Sequence, residues 1–410
     1  MTKPHVLYIP HRLPFPPDKG ERIRAFHQVI ELSKHFNLTL ACPLANRMEA
    51  DFATGLDPYL YGLVASLAGG WPYAVGHLLE GEALTQGFFY SRKLYSQLYH
   101  YLEQRPVDMV IGYSSVMFPY IGHVVMHQRA RGRRVAAVLD MVDVDSEKYR
   151  QYATEAGWFK RRIYRHEARC LSRLEREAID FCDATFLVTE QERKQIPSEL
   201  RSQVSVAGNG VDLEFFYPTA DCLRMELPPM SLTFVGQMDY QPNIEGVVWF
   251  VNYVFPALRR RYPELHFFIV GRSPSQKVRD LRKVEGVIVT GEVADTRGFL
   301  KESKAMVCPL RMARGIQNKV LEAMAMGRPC VVSPSSCEGI SAEIGRDLLL
   351  ADTPHEWIET LSALLDDEPR RDALGRAARE LIVTKYAWPA QLELFVECCQ
   401  YLADRGGAIV

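Results

Sequence analysis

A lysine and a glutamate stand three residues apart where the sequence predicts that a helix begins beside a buried strand. They are Lys319 and Glu322, within the stretch RGIQNKVLEAMAMGRP of residues 314–329. If the helix starts near Ile316, both side chains lie in its first turns and on the same side. A lysine in this position is unfavourable by up to about 1 kcal/mol, because the positive end of the helix dipole repels it. The pattern therefore indicates that a bound anion offsets this cost.

A diphosphate is one anion that fits the pattern. Lys319 and Arg311 would bind its oxygens, and Glu322 would accept hydrogen bonds from the hydroxyls of a ribose. The alternative is an exposed pair of opposite charges on a helix surface, which contributes about 0.2–0.5 kcal/mol. The spacing alone supports both interpretations equally.

Glycine and polar residues follow four apolar runs in the second half of the chain. Because the carboxyl ends of parallel strands meet at one edge of a sheet, these residues are expected to converge there. Glycines allow a ligand to approach the backbone, and the helices that follow point unpaired amides at it, which favours a phosphorylated ligand. The residues are Gly236 and Gln237 after SLTFV, Gly271 and Arg272 after LHFFIV, Gly291, Glu292 and Val293 after VIVT, and Arg311, Arg314 and Gly315 after AMVCPL.

The elements that position these residues form two similar halves. Short apolar runs alternate with helical periodicity from the start of the chain, and the pattern restarts after Pro228, so each half is predicted to be a parallel sheet wrapped by helices. We expect an N-terminal domain over residues 1–208, a linker over 209–230 and a C-terminal domain over 231–387. A last helix within 388–410 is expected to pack back on the N-terminal domain.

Composition excludes several classes of protein. A length of 410 residues suits two cores, and a net charge of −1 at pH 7 gives no general attraction to nucleic acid. The 9 cysteines include no CxxC pair, which argues against a zinc site or a disulfide framework and favours a cytoplasmic protein. No apolar run reaches the roughly 20 residues of a membrane-spanning helix, so membrane contact would be peripheral.

Several motifs of the chain match those of a known family. The second half carries NGVDLEFFYP, FVGQMDYQPNIEGVVWF, IVGRSP, VTGEV and GIQNKVLEAMAMGRPCVVS, and the first half carries the looser matches PFPPDKGERIRAFH and LDMVDVDSEKY. Through these motifs the chain resembles the glycogen-synthase-like family of retaining GT-B glycosyltransferases, also called group 1 or family four. Within this family the chain is most similar to bacterial sugar transferases associated with exosortase (PEP-CTERM) and exopolysaccharide genes.

The resemblance implies a fold, a reaction and its partners. The fold would be GT-B, with two Rossmann-like domains that face each other across a cleft, each with a parallel sheet. The C-terminal domain would bind a nucleoside-diphosphate-sugar, and its sugar would pass with retained configuration to a glycan or lipid-linked acceptor on the N-terminal domain. No metal and no other cofactor is expected, since positive side chains and helix amides stabilise the leaving diphosphate in this fold.

The resemblance also assigns residues. Glu322 matches the second acid of the family's paired-glutamate motif, which is expected at the donor ribose. Gly291, Glu292 and Val293 match the loop near the base, and Gly20 matches a glycine loop that approaches the donor phosphates.

Two departures from the family pattern change the expected distribution of charge. The first acid of the paired motif is replaced by Arg314, and the usual Arg and Lys after the first C-terminal strand are absent, since Gln237 stands there without a lysine. We therefore expect Arg311, Arg314 and Lys319 to take over the cationic role.

In the first half, many relatives carry a histidine after the strand that here reads RVAAVLDMVD. This chain has Asp140 and Asp143 instead, and a carboxylate at a strand end can orient or deprotonate a hydroxyl, so Asp143 is the catalytic candidate. The alternative is an aspartate that caps a loop. The DVD of residues 143–145 imitates a metal-binding DxD motif, but the double α/β pattern argues against that type of transferase.

The stretch GWFKRRIYRHEARCLSRLEREA of residues 157–178 mixes aromatic and basic residues. Such a segment can lie on the inner surface of a membrane. It can equally be a solvated helix, because Glu167, Glu175 and Glu177 dilute its positive charge. The apolar run of residues 59–79 is a second candidate for membrane contact, or a buried strand and loop.

Two other functions fit the same layout. A nucleotide-sugar 2-epimerase would isomerise a bound sugar without an acceptor. A non-catalytic nucleotide-sugar-binding protein would bind the donor without turnover, and Arg314 in place of an acid makes this alternative worth testing.

Overall fold

The computed structural model describes residues 3–18, 20–219, 225–313 and 316–406. The chain divides into two compact units, each with its own hydrophobic core. The N-terminal unit comprises residues 1–208 and 392–410, and the C-terminal unit comprises residues 209–391.

The N-terminal unit is built on a parallel sheet of seven strands in its described residues, in the order β3-β2-β1-β4-β5-β6-β7. The central strands are buried almost throughout, as expected for a parallel sheet with helices on both faces. The strands are β1 (His5–Pro10), β2 (Asn37–Leu44), β3 (Gly62–Leu67), β4 (Met109–Tyr113), β5 (Ala136–Val142), β6 (Ala184–Leu187) and β7 (Val204–Val206).

Helices connect these strands and cover the sheet. They are α1 (Gly20–His35), α2 (Glu49–Phe52), α3 (Gly70–Leu79), α4 (Leu84–Phe89), α5 (Arg92–Gln104), α6 (Phe118–Arg129), α7 (Asp145–Glu155), α8 (Trp158–Phe181) and α9 (Glu190–Gln195). From Leu392 onward the last helix of the chain, Trp388–Gly406, also belongs to this unit, where Phe395 packs edge-on against Phe186 at 5.1 Å between ring centres.

The C-terminal unit repeats the plan with six parallel strands in its described residues, in the order β10-β9-β8-β11-β12-β13. The strands are β8 (Ser231–Val235), β9 (His266–Val270), β10 (Val287–Gly291), β11 (Ala305–Cys308), β12 (Cys330–Val332) and β13 (Leu349–Leu350). The helices are α10 (Gln241–Tyr253), α11 (Phe255–Arg261), α12 (Gln276–Asp280), α13 (Arg297–Glu302), α14 (Asn318–Ala325), α15 (Pro334–Cys337), α16 (Pro354–Asp366) and α17 (Glu368–Lys385), followed by α18 (Trp388–Gly406).

Each sheet has a point where the direction of the strand connections reverses. In the N-terminal unit this point lies between β1 and β4, where Val6 pairs with Met109, and in the C-terminal unit it lies between β8 and β11, where Leu232 pairs with Ala305. In open parallel sheets the carboxyl ends of the strands at such a point border a crevice that binds ligands. The two parallel sheets wrapped by helices confirm the predicted α/β class.

Local signals explain the ends of the helix that carries Lys319. It begins at Asn318 rather than near Ile316, because Gln317 has extended backbone angles (φ −83°, ψ 94°) and serves as the N-terminal cap. It ends where Gly327 takes a left-handed conformation (φ 67°), which glycine adopts without a steric penalty. Among the described residues, no helix has the length and apolar character needed to cross a bilayer.

Candidate functional site

Lys319 lies at the reversal point of the C-terminal sheet, beside the end of β8. Its ammonium group donates a hydrogen bond to Asn243 Oδ1 at 2.5 Å and stands 4.7 Å from the centre of the Phe234 ring. Asn243 is buried, and its Nδ2 donates to the carbonyl oxygen of Gln237 at 2.8 Å. Asn243 therefore connects the lysine of α14 to the loop that follows β8.

Glycines line this end of the sheet because other residues would not fit. A β-carbon at Gly236 would lie 3.2 Å from Lys319 Nζ, and one at Gly271 would lie 1.7 Å from the carbonyl oxygen of Gly236. The amide of Gly271 donates to the carbonyl of Gly291 at 3.2 Å. The structure thus brings together Lys319 and the glycines predicted after β8, β9 and β10.

Partial burial shapes the electrostatics of Lys319 and Glu322. Burial lowers the pKa of Lys319, against the opposing influence of Cys308 and Glu322. Burial raises the pKa of Glu322 to about 7, although Lys319 opposes that shift. The two side chains do not form the exposed ion pair of the alternative interpretation: both are partly buried, and no described carboxylate forms an ion pair with Lys319.

A second polar group at the start of α14 lacks a partner. The side-chain oxygen of Asn318 is buried and accepts no hydrogen bond from the described residues. A buried acceptor without a donor costs about 1–3 kcal/mol, and a ligand hydroxyl or amide would remove that cost. The first turn of α14 therefore presents both an ammonium group without a carboxylate and an acceptor without a donor.

Arg311 lies apart from this group. Its side chain is 47% exposed, and its guanidinium forms an ion pair with Asp352 at 2.9 Å and lies 5.1 Å from the centre of the Trp249 ring. The structure therefore does not place Arg311 beside Lys319. A surface ion pair of this kind contributes only about 0–1 kcal/mol, so a ligand can compete for the guanidinium.

The remaining predicted donor residues have different environments. Arg272 is partly exposed, and its carbonyl accepts a hydrogen bond from the amide of Met238 at 3.0 Å, which ties the loops after β8 and β9 together. Val293 is partly buried against the core. Arg314 and Gly315 lie outside the described residues.

The N-terminal unit has a polar pocket of about 300 Å³ at the carboxyl ends of β1, β4 and β5. His11 stacks on Tyr113 with ring centres 5.7 Å apart, and Arg12 Nε lies 3.1 Å from a Glu21 carboxylate oxygen. Sequence analysis missed these residues, although the position of His11 and Arg12 directly after the first apolar run was the available signal. Gly20 opens α1 beside them, and a β-carbon there would meet no described atom within 4 Å.

Asp143 lines this pocket, as does Asp145. Asp143 follows Val142, whose backbone is left-handed (φ 70°), so the chain turns sharply at the end of β5. The surrounding protein excludes water and raises the pKa of Asp143, while Lys148 and Arg24 oppose the shift. The described residues contain no cluster of three or more metal-ligating side chains.

Asp140 is a structural residue. It is fully buried, accepts hydrogen bonds from Arg24 Nε at 2.8 Å and from Gln28 Nε2 at 2.5 Å, and receives the amide of Val142 at 3.2 Å. Arg24 also donates to the carbonyls of Ala207 and Gly208, so the charge is fully enclosed. Asp140 thereby fixes the turn that presents Asp143 to the pocket.

The C-terminal unit matches a known family over the segment that contains Lys319 and the glycines after β8, β9 and β10. Residues 229–367 match the family model described as glycosyl transferases group 1. A putative glycosyltransferase EpsF of Bacillus subtilis (strain 168) is 23% identical over 193 residues, which are 44% of this chain and 48% of that protein. A 44.6 kDa protein in the cps region of Klebsiella pneumoniae is 21% identical over 136 residues, 31% of this chain and 35% of that protein. The matches thus span half or less of these relatives.

Solved structures match nearly the whole chain. Sucrose-phosphate synthase from Thermosynechococcus elongatus has a TM-score of 0.69 at 16% identity, with 98% of this chain and 100% of that chain covered. Anabaena HepE in complex with UDP has a TM-score of 0.67 at 12% identity, covering 97% and 100%, and the lipopolysaccharide glycosyltransferase WaaG has 0.62 at 14%, covering 96% and 99%. The protein therefore has the GT-B fold of glycosyltransferases, and residues 229–367 match group 1 of these enzymes.

Proposed function

We propose that the protein is a glycosyltransferase that moves a sugar from a nucleoside-diphosphate-sugar to an acceptor, with retained anomeric configuration and without a metal ion. The observation that carries this proposal is the state of Lys319. Its ammonium group is partly buried, bonded to the neutral side chain of Asn243, and lacks an ion pair with any described carboxylate. An anion would stabilise the charged form of this lysine, which burial disfavours, and the adjacent glycines leave the backbone open to one.

The donor would be bound through its diphosphate. Lys319 would neutralise the charge that develops on the diphosphate as the bond to the sugar breaks, which is the most effective form of stabilisation in a site shielded from water. Glu322 would accept hydrogen bonds from the ribose hydroxyls, and Arg311 would leave Asp352 to meet a phosphate oxygen. Arg272 and Val293, with Gly236, Gln237, Gly271 and Gly291, would form the rest of the donor surface, together with Arg314 and Gly315.

The acceptor would occupy the pocket of the N-terminal unit. Asp143 would orient the acceptor hydroxyl or remove its proton, because its raised pKa makes it a better base than an ordinary aspartate. Gly20, at the start of α1, would approach the donor phosphates as the family resemblance implies. His11, which stacks on the buried Tyr113, also lines this pocket and would contact the sugar ring.

The class of donor and the biological setting are part of the proposal. HepE complexes with UDP and with UDP-glucose favour a uridine nucleotide as the donor carrier. The resemblance to exopolysaccharide sugar transferases favours a glycan or lipid-linked acceptor. We place the reaction in the cytoplasm, at the inner surface of the membrane.

A thermal-shift panel of nucleoside diphosphates and their sugars tests the donor site. We expect one diphosphate and its sugars to raise Tm, since a ligand at a hundred times its Kd stabilises by about 2.7 kcal/mol. Lys319→Met should lower the affinity for that ligand by about tenfold to a hundredfold. Lys385→Met, at an exposed position at the end of α17, is the matched control and should bind normally. Absence of any shift across the panel would refute the proposal.

Product analysis then separates the proposed reaction from its alternatives. A transferase needs an acceptor and releases a nucleoside diphosphate, whereas a 2-epimerase isomerises the sugar of the donor alone. A protein that only binds nucleotide sugars would give neither product. The anomeric configuration of the product, read by NMR, tests retention.

A further inference from the structure

The first three turns of α8 carry exposed aromatic and basic side chains and no exposed acid. Trp158 is 76% exposed and Phe159 is 62% exposed, which is unusual for two large apolar residues in sequence. Lys160, Arg161 and Arg162 follow directly and are also exposed, and the positive face continues along the helix with Arg165 and Arg169.

The acidic residues that seemed to dilute this charge are turned inward. Glu167 is buried and accepts hydrogen bonds from the amides of Leu84 and Thr85 at 2.7 and 2.9 Å. Glu175 is also buried and accepts from the amide and the hydroxyl of Ser146 at 2.8 and 2.6 Å. The expectation that Glu167 and Glu175 dilute the positive charge of α8 is therefore wrong, because both carboxylates are buried and accept hydrogen bonds inside the protein.

A second exposed apolar feature lies on α3. Trp71, Val75 and Leu79 recur at every fourth position of α3, and all are exposed, Trp71 at 69% and Leu79 at 83%. The turn after Leu79 is fastened to α8, since His166 Nε2 lies 3.1 Å from the carbonyl of Glu82. Together with the hydrogen bonds from the amides of Leu84 and Thr85 to Glu167, this contact joins the turn between α3 and α4 to the middle of α8.

We propose that the first half of α8 docks on a bilayer that contains anionic lipids. Charge complementarity selects this partner: lipid phosphates would meet Lys160, Arg161, Arg162 and Arg165, while Trp158 and Phe159 would enter the headgroup region. Tryptophan is favoured at that depth because its ring is apolar and its N–H is polar. The contact is peripheral, and it rests on the proposed function only in that a lipid-linked acceptor would give it a purpose.

Co-sedimentation of the full chain with vesicles tests the docking. Vesicles of equal parts phosphatidylglycerol and phosphatidylcholine should pellet the protein, and vesicles of phosphatidylcholine alone should not. Each basic residue contributes about fivefold in affinity, so the triple variant K160Q/R162Q/R165Q should bind about a hundredfold more weakly. The double variant W158S/F159S should lose at least about tenfold through lost apolar burial. Added salt should release the wild-type protein.

Controls keep the result interpretable. Y253S/R260E removes an exposed aromatic and an exposed basic residue from the C-terminal unit and should sediment like the wild type. All variants should keep the nucleotide-induced rise in Tm, which separates a failure of docking from a failure of the proposed donor site. The docking proposal is overturned if the wild type stays in solution with both vesicle types, if the α8 variants bind as well as the wild type, or if light scattering shows that W158S/F159S disrupts a dimer.

Discussion

At the scale of single residues, the site depends on Asn243 as much as on Lys319. Asn243 is neutral and joins the lysine to the loop after β8 through two hydrogen bonds. A carboxylate at this position would pair with the ammonium group and satisfy it without a ligand. The choice of an amide therefore keeps the positive charge available.

This reasoning predicts the effect of Asn243→Asp. We expect the variant to bind the nucleoside diphosphate about tenfold more weakly, because the new carboxylate repels the phosphates and occupies the lysine. Isothermal titration calorimetry measures the affinity. Unchanged binding would show that Lys319 does not face the diphosphate. The variant Asn318→Asp adds the same charge at the start of α14, so its affinity provides the comparison for a nearby carboxylate.

Glu322 predicts a pH dependence of stability. Its pKa is raised from 4.5 to about 7 in the folded protein, so folding disfavours the charged form. The contribution of Glu322 to the free energy of unfolding is fully present below pH 4.5 and is lost as the pH rises towards about 7. Urea unfolding across this range should show a larger loss of stability in the wild type than in Glu322→Gln, which keeps the similar contribution of the buried Glu175. Parallel curves for the two proteins would contradict the burial of the carboxylate.

The sequence predicted part of this site for a physical reason. Glycines after strands and a lysine early in a helix are local patterns, so Gly236, Gly271 and Lys319 could be found by reading along the chain. The ion pair of Arg311 with Asp352 joins residues 41 apart, and the packing of Asn243 on Lys319 joins residues 76 apart. Such side-chain directions depend on tertiary packing, which local patterns do not encode.

At the scale of elements, the loops that follow β8 and β9 approach closely and hold the end of the C-terminal sheet together. Gly271→Ala would place a β-carbon against the carbonyl of Gly236, so we expect the free energy of unfolding to fall by about 2–4 kcal/mol. Gly122→Ala is the control, since a β-carbon in α6 meets no described atom within 4 Å and alanine favours helix by about 1 kcal/mol. Denaturant unfolding compares the two, and equal stability would show that the loops can separate freely.

The carboxylate of Glu167 anchors the start of α4. Glu167→Ala leaves the amides of Leu84 and Thr85 without their acceptor, which costs about 1–3 kcal/mol locally. Hydrogen exchange in residues 70–89 should accelerate, while Glu177→Ala, exposed on the same helix, should leave it unchanged. Equal exchange in both variants would mean that α3 and α4 are held by their apolar contacts alone.

Strand prediction succeeded in the middle of each sheet and was incomplete at three edges. The short apolar runs of the sequence predicted β1, β2, β4, β5 and β6 and then β8 to β12, because strands buried on both faces must be apolar throughout. Of the other three strands, β3 lies within the run of residues 59–79, for which a buried strand was one of two interpretations, and β7 and β13 were not predicted. All three lie at sheet edges, where one side lacks a neighbour. Two of them have only 3 and 2 residues, too few for any periodicity to appear.

At the scale of the whole molecule, the proposed function assigns donor binding to the C-terminal unit and acceptor binding to the N-terminal unit. We expect the nucleoside diphosphate alone to slow hydrogen exchange in the C-terminal unit, above all in the loops after β8, β9 and β10 and in the first turn of α14. The pocket of the N-terminal unit should respond only when an acceptor is added. Mass-spectrometric exchange resolves the two units, and protection confined to the N-terminal pocket would reverse the assignment of donor and acceptor.

The lowered pKa of Lys319 has a practical consequence. Near neutral pH a larger share of this amine is uncharged than for an ordinary lysine, and uncharged amines are the ones that attack electrophiles. An acylating reagent used in limited amount should therefore modify Lys319 preferentially among lysines, provided that it fits the crevice. A nucleotide carrying such a group would become a selective covalent label, and the site of the adduct would identify the crevice without any knowledge of the sugar or the acceptor.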